Sequence, residues 1–130
     1  MKTNEWRYDC IVEKVIDGDT IDVNISLGFD VWKKERIRFD GINTPESRTS
    51  DKREKEFGLK VKAFVKKKIE SKEVEIETVK QEKYGRYLGR VFIAGECLND
   101  LLVKKGYARE YHGEKRGKWF KEEHSNLPED

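Results

Sequence analysis

Four charged side chains, three of them in short turn-like stretches and the fourth on a predicted strand, have the types needed to cleave a phosphodiester bond. Asp19 and Glu46 are carboxylates beside predicted turns, and Arg38 and Arg86 are guanidiniums placed on either side of a long intervening segment. Phosphodiester hydrolysis needs hard oxygen ligands for a divalent cation, a carboxylate that takes a proton from water, and cations that hold the phosphate. Arginine suits the last role because its planar fork can bind two phosphate oxygens together.

Each stretch by itself also has a purely structural interpretation. Asp17–Thr20, with the sequence Asp-Gly-Asp-Thr, is typical of a hairpin turn. Thr44–Glu46 can begin a helical turn, with Thr44 as the cap and proline in the first helical position. Lys83–Arg86 is an ordinary hairpin turn with a solvated charge. Only the combination of the three indicates a catalytic site.

The elements that would position these residues follow from the apolar pattern. Alternation of apolar and polar residues predicts five strands, which fall at Trp6–Val12, Ile21–Ile25, Val31–Phe39, Val74–Thr78 and Tyr87–Ile93. The tight turn between the first two strands is placed at Asp17-Gly18.

Helical spacing appears in two segments. Apolar residues between Phe57 and Ile69 recur every three or four positions, and those from Leu98 to Leu102 predict a short helix that Gly106 ends. Trp119 and Phe120 are expected to anchor a last helical turn.

We therefore predict an α+β, mainly β fold: a five-stranded Greek-key barrel of the OB type with two to three helices. One domain is expected over residues 1–124, followed by a frayed tail at 125–130.

Composition excludes several classes of protein. The 130 residues carry 28 Lys+Arg against 26 Asp+Glu, a net charge of +2, so binding of nucleic acid as a polycation is not expected. Cys10 and Cys97 do not make a disulfide framework and are expected in the core. The chain has no apolar signal segment or membrane span, so a cytoplasmic location is expected, and a secreted mature form stays open.

Four motifs, in order and spacing, resemble the staphylococcal nuclease (thermonuclease) family. They are Val-Ile-Asp-Gly-Asp-Thr at 15–20, Arg-Phe-Asp-Gly-Ile-Asn-Thr-Pro-Glu at 38–46, Lys-Tyr-Gly-Arg at 83–86 and Gly-Tyr-Ala at 106–108. The similarity extends from about Tyr8 to about Tyr111. It implies a nuclease, a hydrolase that cleaves DNA, RNA or both as an endonuclease or exonuclease, requires calcium and leaves 3′-phosphates.

The resemblance also implies a role for each matching residue. The residues implied as calcium ligands are Asp19, Asn43 and Thr44, the last through its backbone carbonyl. The residues implied in catalysis are Glu46 as general base and Arg38 and Arg86 as phosphate ligands. The residues implied in substrate binding are Lys83, Tyr84 and Tyr111, and the spacing before Tyr111 is one residue short of the family pattern.

One metal position departs from that family. Asn43 stands where the family has a second metal-binding aspartate, so the amide oxygen can ligate calcium without contributing a negative charge. We therefore expect weaker calcium binding. Asp40 could supply the missing charge, although an ion pair between Asp40 and Arg38 is the alternative that we favour.

Three functional interpretations follow. The first is a monomeric calcium-dependent nuclease that prefers single strands, as small barrels with aromatic and basic surfaces do. The second is an OB-fold module that binds single-stranded nucleic acid and has weakened catalysis, with Asn43 as the first sign of decay. The third is a protein-interaction module with neither metal dependence nor affinity for nucleic acid.

Overall fold

A computed structural model of the protein describes residues 6–78 and 87–111. Within these ranges the elements in chain order are β1 (Arg7–Asp17), β2 (Thr20–Ser26), β3 (Trp32–Phe39), β4 (Ile42–Asn43), α1 (Lys52–Ile69), β5 (Glu73–Thr78), β6 (Tyr87–Ile93), β7 (Glu96–Cys97), α2 (Leu98–Lys104) and β8 (Arg109–Glu110).

Five strands close into the predicted OB-type barrel. The antiparallel sheet runs in the order β3-β2-β1-β5-β6, and a parallel pairing of β3 with β6 joins its two edges. In the closing pair Ile37 lies opposite Tyr87 and Phe39 opposite Gly89. Because closure leaves no free edge between the five strands, the barrel fixes how the end of β3 lies relative to β1, β2 and β6. The predicted fold class is confirmed.

The apolar alternation that predicted the strands places one face of each strand in the core. Val12, Val23 and Val91 are fully buried inside the barrel. The inward face of α1 consists of four buried side chains at intervals of four residues, which are Phe57, Val61, Val65 and Ile69. The helix packs with this face against β1.

Two local predictions need correction. The helix begins at Lys52, several residues before the first apolar position of the pattern, because the Asp51 carboxylate caps it by accepting from the backbone N–H groups of Arg53 and Glu54. The alternative in which Thr44–Glu46 begins a helical turn is wrong, since these residues are irregular. The pairs β4–β8 and β6–β7 are too short for alternation to reveal.

Asn99 on α2 ties the barrel to the loop that follows β3. Its side chain is fully buried; Oδ1 accepts from the Val91 N–H at 3.0 Å, and Nδ2 donates to the carbonyl oxygens of Asp40 at 2.9 Å and Gly89 at 3.2 Å. Buried backbone groups need such partners because water cannot reach them. The short helix α2 therefore fixes both β6 and the start of the β3–β4 turn.

Across the described part of the chain, neither helix combines the length and apolar character needed to cross a membrane. The predicted last helical turn at Trp119 and Phe120 and the predicted tail at 125–130 lie outside the described residues.

We expect Asn99→Leu to destabilise the fold strongly. The variant keeps the volume but leaves the Val91 N–H and the Asp40 carbonyl buried without this partner, and each orphaned group costs about 1–3 kcal/mol. Urea unfolding measures the loss. Asn24→Leu is the matched control, because the Asn24 Oδ1 is buried and accepts no hydrogen bond from the described residues. Equal losses in the two variants would contradict the role assigned to Asn99.

Candidate active site

The turn between β1 and β2 holds Asp19 in a buried position. Its Oδ2 accepts from the Thr44 N–H at 3.1 Å, and its Oδ1 accepts from the Thr20 hydroxyl at 3.1 Å. The Asp19 carbonyl accepts from the Phe39 N–H at 2.8 Å. Three separate segments, the turn, the end of β3 and the segment after β4, are therefore joined through one residue.

Arg38 lies beside Asp19, because Thr20 and Arg38 are directly opposite each other in the β2–β3 ladder. Its Nη1 donates to the carbonyls of Phe39 at 3.3 Å and Ile42 at 3.1 Å. Its Nη2 donates to Asn43 Oδ1 at 3.2 Å and lies 3.6 Å from Asp19 Oδ2. The guanidinium is largely buried, and a buried charge requires a nearby opposite charge, which Asp19 provides.

The structure corrects the partner that we favoured for Arg38 from the sequence. Its ion pair is with Asp19, and Asp40 instead uses its backbone carbonyl to accept from Asn99. Strand parity suggested Asp40, but the chain turns at Gly41 immediately afterwards, with a left-handed φ of 78°. The turn brings Asn43 back toward Arg38.

Side-chain oxygens from two of the predicted site residues, Asp19 and Asn43, converge at this point. The Asp19 carboxylate and the Asn43 amide oxygen both face one nitrogen of Arg38, and Thr44 follows directly with its N–H on Asp19. Hard oxygen ligands are the type that calcium prefers, so the chemistry of the donor set fits a calcium ion. Across residues 6–78 and 87–111, no group of three or more His, Cys, Asp or Glu side chains is placed to hold a metal. A cation here would therefore depend on amide and backbone oxygens as well as on Asp19.

Asp17 brings a second acidic group to the same turn. It was not among the site residues predicted from the sequence. Burial raises the pKa of Asp17 and the negative charge of Asp19 raises it further, while hydrogen bonds from the Ser47 side chain and the Gly18 N–H, and the positive charge of Lys62, partly offset the rise. Two carboxylates and their shared burial make the turn a place where positive charge is favourable.

Glu46 is exposed to solvent, while its backbone is fixed by α1. The Glu46 N–H donates to Glu54 Oε2 at 2.9 Å, and Glu54 is itself buried. One turn further along α1, Gly58 lies so close that an added Cβ would be 2.5 Å from both the carbonyl carbon and the oxygen of Glu46. The helix thus holds the peptide of Glu46, while the residue remains exposed.

Tyr111 lies at the site, with its ring centroid 5.7 Å from Arg38 Cζ. The Tyr111 N–H donates to the Gly41 carbonyl at 2.8 Å, and the preceding residues pair with β4. An aromatic ring over a guanidinium is a favourable cation–π arrangement, so the Tyr111 ring covers one side of the Arg38 guanidinium.

Three predicted site residues, Lys83, Tyr84 and Arg86, lie outside the described residues. The structure brings together Asp19, Arg38, Asn43, Thr44 and Tyr111, and it places Glu46 two residues beyond Thr44 on the same segment. Neither cysteine joins this group. Burial raises the pKa of Cys10 to about 12, so its thiol stays protonated in the core, and Cys97 is half-buried beside Arg90.

Glu54 and Gly58 were missed because each matches an ordinary helical residue. A glycine within an amphipathic helix is unfavourable by about 1 kcal/mol relative to alanine. This cost could have indicated that another part of the backbone packs closely against the helix at Gly58. The carboxylate of Glu54 gave no comparable signal, since acidic residues are common in the first turn of a helix.

We expect Gly58→Ala to destabilise the protein, although alanine is the better helix former. The added methyl group must displace the Glu46–Ser47 peptide, and overpacking of this kind costs about 1–3 kcal/mol. Thermal or urea unfolding provides the measurement. In the control Ala63→Gly, at an exposed position of the same helix, the loss is the usual propensity of about 1 kcal/mol. Stabilisation by Gly58→Ala would mean that the segment after β4 does not press on α1.

Comparisons with known proteins agree with this architecture. The chain is 37% identical to the uncharacterized protein MJ1439 of Methanocaldococcus jannaschii over 84% of this chain and 61% of that protein. It is 36% identical to the thermonuclease of Staphylococcus hyicus over 82% of this chain and 60% of that protein. A third relative, endonuclease YhcR of Bacillus subtilis, is 33% identical over 82% of this chain but only 9% of that protein.

The chain therefore spans about 60% of the length of the first two relatives. The family model described as staphylococcal nuclease homologue matches residues 36–129, which is more than half of the chain. On this match, the protein belongs to the family of staphylococcal nuclease homologues.

Proposed function

We propose that this protein is a calcium-dependent nuclease that hydrolyses phosphodiester bonds of DNA, RNA or both. The observation that carries the proposal is the position of Arg38, whose Nη2 lies 3.2 Å from Asn43 Oδ1 and 3.6 Å from Asp19 Oδ2. A guanidinium and hard oxygen donors at one point match the needs of phosphoryl transfer, where catalysis consists of positioning and charge stabilisation. Two relatives carry the names thermonuclease and endonuclease.

In the proposed reaction Arg38 holds the phosphate. Its Nη1 is fixed by the carbonyls of Phe39 and Ile42, so the guanidinium is positioned before the substrate arrives. A preorganised donor in a site of low polarity stabilises developing charge better than one that must first reorient. Arg86 is proposed as the second phosphate ligand on the family resemblance alone.

Glu46 is proposed as the general base. Its carboxylate is exposed to water, and its peptide is held by Glu54 and pressed against Gly58. A solvated carboxylate on a fixed backbone can accept a proton from a water molecule in line with the bond that breaks. The products would be a 3′-phosphate and a 5′-hydroxyl, as the resemblance implies.

Asp19, Asn43 and the Thr44 carbonyl are the groups that would hold the calcium ion. When bound, the ion neutralises charge on a non-bridging phosphate oxygen. Asn43 supplies an oxygen without a charge, so Asp19 is the one charged member of this proposed ligand set. The proposed substrate is single-stranded nucleic acid, and the proposed oligomeric state is a monomer. The residues proposed to contact the nucleotide are Lys83, Tyr84 and Tyr111.

The second candidate function is a module that binds single strands with weakened catalysis. It is favoured by the neutral Asn43 at the proposed metal position and opposed by the contact between Arg38 and Asp19 and by the carboxylate of Glu46 two residues beyond Thr44. The two functions differ in one observable property, which is cleavage that depends on calcium.

We expect denatured DNA to be cleaved in calcium and not in chelator. Glu46→Gln should lower kcat by about 10²–10⁴-fold, because it removes the proton acceptor and keeps the size of the side chain. Gel analysis of a labelled oligonucleotide provides the measurement, and Glu56→Gln on the surface of α1 is the matched control. Binding of the oligonucleotide with no calcium-dependent cleavage would support the binding module instead.

We expect Asn43→Asp to lower the calcium concentration needed for half-maximal activity. The change adds a negative charge among the proposed ligands, and affinity for calcium increases with the number of charged ligands. A calcium titration of activity in both proteins tests this. Ser71→Asp, which adds the same charge at an exposed position in the turn between α1 and β5, is the control. An unchanged calcium requirement would place Asn43 outside the metal site.

A further inference from the structure

We propose that Glu54 on α1 is a positioning residue for hydrolysis, whose carboxylate holds the backbone of Glu46 and so orients the general base toward the phosphate bound by Arg38. The inference rests on the proposed function and deepens it, because it assigns a role in the reaction to a residue outside the groups that would contact the substrate. A positioning residue acts through another residue, so its removal should lower turnover and leave substrate binding nearly unchanged.

The segment that carries Glu46 has no regular secondary structure. Residues 44–51 connect β4 to α1 and belong to neither. Such a segment keeps a fixed conformation where other parts of the protein accept hydrogen bonds from its N–H and hydroxyl groups. Its position matters for catalysis, because a displacement of a reacting group by about 1 Å can lower a rate about a hundredfold.

Two contacts fix this segment on either side of Glu46, and both lead to the β1–β2 turn. Before Glu46, the Thr44 N–H donates to Asp19 Oδ2 at 3.1 Å. After it, the hydroxyl of the buried Ser47 donates to the carboxylate of Asp17. These two contacts hold the flanks of the segment, but neither involves a group of Glu46 itself.

The contact at Glu46 itself comes from α1. The Glu46 N–H donates to Glu54 Oε2 at 2.9 Å, and Glu54 is only 9% exposed. A hydrogen bond to a charged carboxylate is shorter and stronger than one to a neutral acceptor. The acceptor is also well fixed, because the Glu54 N–H donates to the capping carboxylate of Asp51 at 3.3 Å.

Helix stability alone does not account for a buried carboxylate at this position. Asp51 already caps α1, and an acidic residue in the first turn also helps a helix when it is solvated. Burial of a carboxylate is unfavourable, and an apolar side chain of similar size often packs in such a place without loss of stability. The buried acceptor is therefore better explained by what it holds, which is the Glu46 peptide.

Glu54 also connects the proposed base to the other side of the site. Burial lowers the pKa of Arg109, and the negative charge of Glu54 opposes this shift, so the two charges lie within range of each other. Arg109 is directly opposite Asn43 in the β4–β8 ladder. Two residues later, Tyr111 covers one side of the guanidinium that would hold the phosphate. One carboxylate therefore holds the segment of the base and interacts with a charge on the strand that leads to the phosphate ligand.

Two variants of Glu54 separate its reach from its charge. Glu54→Gln keeps an oxygen that can accept from the Glu46 N–H, so its kcat should stay within about threefold of the wild-type value. Glu54→Asp keeps the charge but withdraws it by one methylene group, so kcat should fall about 10- to 100-fold with KM nearly unchanged. Both are measured with a labelled single-stranded oligonucleotide in saturating calcium, below the unfolding transition of each variant. Glu56→Asp, at an exposed position of the same helix, is the matched control.

A double-mutant cycle tests whether Glu54 acts through Glu46. In the Glu46→Gln background the proton acceptor is already absent, so Glu54→Asp should lower kcat by less than a further factor of about two. Hydrogen exchange of the Glu46 amide gives a second measurement that needs no substrate. Exchange should be faster in Glu54→Asp than in Glu54→Gln and the wild-type protein. Equal exchange in all three proteins would contradict the contact on which the inference rests.

The outcomes distinguish this inference from the proposed function. If Glu46→Gln loses activity but Glu54→Asp keeps the wild-type kcat, or loses the same factor in both backgrounds, Glu54 is not a positioning residue and the nuclease proposal stands. A larger loss of kcat in Glu54→Gln than in Glu54→Asp would assign the effect to charge and also overturn the inference. If the wild-type protein does not cleave in calcium, the nuclease proposal fails and this inference fails with it.

Discussion

The burial of the Arg38 guanidinium is the constraint on which the rest of the site depends. A charge out of contact with water must be compensated, and here the end of β3, strand β4 and the β1–β2 turn all contribute oxygen atoms to it. These segments are held together by the closed barrel on one side and by Asn99 on the other. Fold stability and site geometry therefore rest on the same contacts.

The second constraint is the close approach of α1 to the segment after β4. Gly58 permits the helix to touch the Glu46 peptide, and Glu54 accepts the hydrogen bond from it. The helix is otherwise stabilised by ordinary means: an Asp51 cap and one apolar face on the barrel. Because α1 is packed on the core, its contacts fix the backbone of Glu46, the residue with the exposed carboxylate. A loop without such contacts would not fix this position.

Charge is distributed by position, which the net value of +2 hides. Acidic groups gather at the β1–β2 turn, where Asp17 and Asp19 share a buried environment. On the outer face of β3 the cations Lys34 and Arg36 are paired with Glu13 and Asp22 of the neighbouring strands. The nearly neutral total is therefore consistent with a solvated surface of ion pairs around one locally acidic turn.

The sequence by itself determined the barrel and the two helices, because hydrophobic period is a local property, and its resemblance to a family implied that Asp19, Arg38, Asn43 and Thr44 form one group. Only the tertiary structure decided the partners of these residues. Arg38 pairs with Asp19 and not with Asp40, since the chain reverses at Gly41. The roles of Glu54 and Gly58 also depend on which surfaces meet after the barrel closes. Local patterns carry no information about contacts between residues that are distant in the chain.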